Sequence, residues 1–82
     1  MKRYIATFHT HFAAMRTCRA LSDAGFPAYM APVPRALSAD CGTCVRFEAE
    51  TPCEGMLHPD FDRVVEVEAD GNYQTAVRNS AP

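Results

Sequence analysis

The sequence predicts an α+β fold: a ferredoxin-like two-layer sandwich, with a four-stranded antiparallel sheet carrying one main helix and a short irregular second helix on one face. Three features point there. β-prone runs recur at residues 3–8, 26–33, 43–48 and 64–68, a stretch of helical period separates the first pair, and a proline-broken segment separates the last pair.

The first run gathers Tyr4, Ile5, Thr7 and Phe8, branched and aromatic side chains that suit a central strand of a small sheet. Thr10 follows as a helix N-cap, its hydroxyl able to accept a free backbone N–H. From His11 onward Ala14, Cys18 and Leu21 repeat at helical spacing while Arg16 and Arg19 fall outside that stripe, and Gly25 ends the helix. Pro27 and Pro32 bound the second strand; without N–H donors they belong near a sheet edge. Side chains alternate again through Thr43, Val45 and Phe47, and once more through Val64, Val65 and Val67 before the Asp70-Gly71 turn. Between these last strands Pro52, Gly55 and Pro59 keep any second helix brief. Residues 1–72 are expected to form a single domain, and residues 73–82, which show no apolar period, a flexible tail.

A chain of 82 residues buries only roughly 60–65% of the surface exposed by its unfolded form, so the core is modest. Lys and Arg total 8 against 10 Asp and Glu, for a formal net charge of -2. Arg16, Arg19, Arg35, Arg46, Arg63 and Arg78 are dispersed among acids, without the basic stripe that attracts nucleic acid. No run is long and apolar enough to span a membrane, and His9 interrupts the start before a signal-peptide core forms. The expectation is a cytoplasmic protein that binds neither nucleic acid nor membrane, as a monomer or a weak homodimer paired through a sheet edge. In that reducing compartment the four cysteines serve metal binding, catalysis, cargo or packing rather than a disulfide framework.

The chemistry concentrates in the loop before the third strand. Pro34 fixes its own φ, Gly42 can take a backbone conformation closed to other residues, and together they shape a segment that holds Cys41 and Cys44 in a Cys-Gly-x-Cys unit. If the first strand runs up the sheet, that loop returns to the end where His9, Thr10 and His11 sit. The helix start and Arg35 then bring positive charge to the same end, which lowers a thiol pKa, whereas Asp40 beside Cys41 opposes it. Ser38 is read as bonding the loop backbone. Cys44, a strand residue, has a plain core reading beside the chemical one, and so has Cys18 on the helical stripe. Cys53 falls at the far end of the third strand. Glu66 and Glu68, with Asp62 and Asp70, read as a solvated strand face.

Phe8, Thr10, Ala14 and Gly25, followed by Val33-Pro34-Arg35 and Leu37-Ser38 leading to Cys41-Gly42, resemble the small bacterial selenium/sulfur carrier-like proteins over residues 3–48. The most specific part is a Pro-Arg-x-[Ile/Leu]-Ser-x-x-Cys-Gly motif. The resemblance implies that Cys41 carries sulfur or selenium as a persulfide or selenopersulfide, with Gly42 forming the loop turn and Pro34 and Arg35 the arm. It also implies a fuller second helix than the proline-broken segment 50–62 offers.

The leading expectation is therefore a carrier rather than an enzyme with its own small substrate. Cys41 takes its cargo from a donor protein and yields it to an acceptor protein, Cys44 serves as resolving thiol, and no cofactor is held beyond the carried atom. Two other classes stay open. A dithiol redox module would cycle Cys41 and Cys44 between thiol and disulfide. A zinc-binding or protein-interaction module would join Cys41 and Cys44 with His9 and His11 as a two-Cys, two-His ligand set.

Overall fold

In the computed structural model, which describes residues 1–38 and 41–80, the chain runs through β1 (Lys2–Phe8), α1 (His11–Asp23), β2 (Ala28–Pro32), β3 (Thr43–Ala49), a 3-10 turn (Glu54–Met56), β4 (Phe61–Val67) and β5 (Tyr73–Arg78). The strands pair antiparallel in the order β2-β3-β1-β4-β5. β1 is central because both of its faces are apolar. Tyr4, Ala6 and Phe8 point to the helix side and Ile5 to the other, all but closed to solvent.

The sheet has five strands where the sequence led us to expect four. Residues 73–78, expected to begin a flexible tail, form β5 and pair with β4. Val77 packs on the helix-side core, and Tyr73 on the cluster of the opposite face. Asn79 closes the strand: its side-chain amide donates to the carbonyls of Pro59 (2.9 Å) and Phe61 (2.7 Å), and its N–H to that of Asp62 (3.0 Å). β2 lies at the opposite edge, as its prolines require.

Helix α1 begins and ends as its sequence signals say. Thr10 Oγ1 accepts from the N–H of Ala13 at 3.2 Å. At the other end Gly25 adopts φ +94°, its N–H donates to Ser22, and that of Phe26 donates to Leu21, the paired bonds of a Schellman ending. Ala13, Ala14, Thr17 and Leu21 are buried against the sheet, Cys18 is half-buried, and Arg16 and Arg19 are exposed.

The return from β3 to β4 crosses the helix side of the sheet with only the 3-10 turn Glu54–Met56 in place of a second helix. Side-chain bonds hold it there instead. The buried Thr17 hydroxyl accepts the N–H of His58 at 2.9 Å, and His58 Nδ1 accepts the N–H of Asp60 at 3.1 Å. The helix side thus holds the main core. The opposite face is covered in part by loop 33–42, whose Leu37, 4% exposed, packs with Ile5, Cys44 and Val65. Among the described residues no helix is long and apolar enough to cross a membrane.

Candidate functional site: the cysteine loop

Antiparallel pairing sets Cys44 opposite Thr7 near the end of β1, so loop 33–42 reaches the sheet end that also carries His9, Thr10 and the start of α1. The base of the loop continues the ladder, with the N–H of Val33 donating to the carbonyl of Gly42 at 3.1 Å. Pro34 opens a tight turn closed by the Leu37 N–H on the Pro34 carbonyl at 2.9 Å, and Arg35 stands exposed within it. Ser38 is exposed and has φ +42°, a left-handed backbone that a non-glycine residue adopts at a cost. Asp40, expected to oppose thiol ionisation, and its neighbour Ala39 lie outside the described residues.

Two further side chains hold this end in place. Arg63 Nη2 donates to the Leu37 carbonyl at 3.1 Å, fixing the loop from β4. Thr10 Oγ1, besides capping the helix, donates to Asp60 Oδ2 at 2.9 Å and so joins the helix start to the approach to β4. The sequence reading counted Arg63 among the dispersed arginines and assigned Asp60 nothing. Only strand register could have found them.

Cys41 is half-buried and packs against the helix-side core. As a thiol it donates to the Thr43 carbonyl at 3.2 Å, while its sulfur accepts the Thr43 N–H at 3.4 Å. Gly42, at φ +72° with open space around its α-carbon, makes the turn that folds Thr43 back toward this sulfur.

Cys44 is in a different environment. It is 0% exposed, belongs to the cluster on the opposite face of the sheet, and donates to the Pro32 carbonyl at 3.6 Å. Burial pushes its thiol pKa up; the Arg46 guanidinium partly offsets this, and charge on Cys41 would add to it. The Cys-Gly-x-Cys pair is thus split across the sheet, and both cysteines are free thiols. Cys18 and Cys53 are half-buried against the helix-side core.

His9 and His11 are exposed at the same sheet end. Among the described residues, however, no three His, Cys, Asp or Glu side chains gather in a group able to hold a metal ion. The two-Cys, two-His set shares an end of the sheet without assembling there.

Among the comparisons with known proteins, one gives a match. A family model described as "Putative Se/S carrier protein-like" matches residues 3–56, the stretch from β1 through the cysteine loop to the 3-10 turn. No curated protein and no solved structure matches the chain.

Proposed function

Because the chain belongs to the Se/S carrier protein-like family, we propose that it carries a sulfur or selenium atom on Cys41 between a donor protein and an acceptor protein. The observation that supports this reading is the setting of the Cys41 sulfur. It is partly open to solvent at a loop end, in a turn where the Thr43 N–H donates to it at 3.4 Å.

In the loading step the Cys41 thiolate attacks the outer atom of a donor persulfide. A bond forms between Cys41 Sγ and that atom, the donor's own S–S bond breaks, and the donor cysteine leaves as a thiolate with the electron pair. The proton on the outer atom stays with it, so the transfer is redox-neutral. In the unloading step an acceptor nucleophile attacks the same outer atom and Cys41 leaves as the thiolate. Cys44 takes no part. To resolve the persulfide it would have to reach Cys41 from the other side of the sheet, as a thiolate that its burial disfavours.

The test is intact mass spectrometry of the reduced protein after incubation with glutathione persulfide, beside Cys41→Ser and Cys44→Ala variants. One added sulfur is expected, localised by peptide mapping to Cys41, absent from Cys41→Ser and kept by Cys44→Ala. Cargo distributed equally over Cys18 and Cys53, or loading that needs Cys44, would overturn the reading.

A further inference from the structure

The sheet register gathers charges that the linear sequence scatters. Arg3 pairs with Val67, Arg46 with Ile5, and Arg63 with both Thr7 and Arg78, and each of these positions lies on the helix-free face. Two carboxylates share that face: Glu48, directly opposite Arg3 on β3, and Asp62, which accepts from the Thr7 hydroxyl at 3.2 Å. Lys2 and Glu66 point to the helix side and pair with each other at 3.9 Å. None of the ion pairs among the described residues uses Arg3, Arg46 or Arg78. A chain of net charge -2 therefore presents one predominantly cationic face.

That face also has a built recess. Arg3, Arg46, Tyr29, Glu48 and Val67 help line a shallow groove of about 100 Å³. Arg3 and Arg46 are diagonal neighbours on adjacent strands, within reach of one shared carboxylate. Tyr29, 61% exposed beside Arg46, offers a rigid aromatic surface on β2. Arginine and tyrosine around a small recess are the residue types that anchor protein interfaces.

We propose that the helix-free face is a docking surface for an acidic segment of a partner protein, with one carboxylate seated between Arg3 and Arg46 against the Tyr29 ring. Charge complementarity selects the chemistry, and one further observation selects a protein over a nucleic acid. The net negative charge repels a polyanion at long range, whereas an acidic patch on a folded partner acts within a Debye length of about 8 Å. The proposal holds whether or not Cys41 carries cargo.

The experiment is an amide NMR titration of the full chain with a peptide of alternating Glu and Gly, run in parallel with an oligothymidylate and with inorganic phosphate. The Glu-Gly peptide is expected to shift amides around Arg3, Tyr29, Arg46 and Val67. The double substitution R3E/R46E should weaken it at least about tenfold, while R16E/R19E, the same charge change on α1, should leave it within about twofold. Should R3E/R46E lose its native spectrum, Tyr29→Ala must weaken binding at least about threefold. Peptide shifts elsewhere on the molecule, equal weakening by R16E/R19E, or tighter binding of oligothymidylate or phosphate to the groove would overturn the proposal.

Discussion

Burial governs what each cysteine can do. The proton of Cys44 is held more tightly in the folded chain than in the unfolded one, because a thiolate there would sit among Ile5, Leu37 and Val65. A folded-state pKa above the ordinary thiol value of 9.0 contributes stability that is complete below that value and is lost as pH rises through the raised one. Tyr4 acts in the same sense from its ordinary value of 10.0, raised by burial and then by Glu66. Stability measured by urea unfolding should be flat across neutral pH and decline on the alkaline side. Cys44→Ala should cost about 1 kcal/mol at pH 7 and remove the first part of that decline. A Cys44→Ala profile that keeps the full alkaline slope would refute this account. Sequence pattern showed Cys44 on a strand, but the loop residue that closes over it, Leu37, belongs to no periodic element and gave no sign of its burial.

Local chemistry made α1 legible and left the connections obscure. Thr10 and Gly25 mark the helix by mechanisms written into single residues, a hydroxyl acceptor and a left-handed backbone, so the signals survive without tertiary context. The return to β4 has no such signal. Its path depends on Thr17, His58 and Asp60, which are far apart in sequence and meet only in the fold. Thr10 belongs to both descriptions, since its hydroxyl accepts from Ala13 and donates to Asp60. Thr10→Ala should therefore lower stability by about 1–2 kcal/mol, the upper part of the usual N-cap range, and Thr10→Ser should restore most of it. Thermal or urea unfolding of the two variants reads this directly; a loss of only a few tenths of a kcal/mol would mean that the Asp60 bond adds nothing.

At the scale of the whole molecule the sheet is what the sequence understated. The run Tyr73 to Arg78 is mostly exposed, and the register shift between Val64 and Val65 breaks the twofold alternation by which a strand is recognised. The gathering of Arg3, Arg46, Arg63 and Arg78 on one face is likewise a product of pairing between strands distant in sequence. β5 also lies beyond the family match, which ends at residue 56, yet it is joined to both sides of the sheet through Val77 and Tyr73. A strand whose side chains pack on both faces of the sheet acts as part of the domain. Removing residues 73–82 should expose the outer edge of β4 and cost about 3 kcal/mol, from two half-buried apolar side chains and the bonds of Asn79. For so small a core that is a large share of total stability, and the shortened chain should show a lower urea midpoint or no cooperative transition. An unchanged midpoint would return these residues to the status of an appended tail. It would also mean that Val64 and Val65 stay protected without β5, which the pairing of those residues with Val77 and Thr75 argues against.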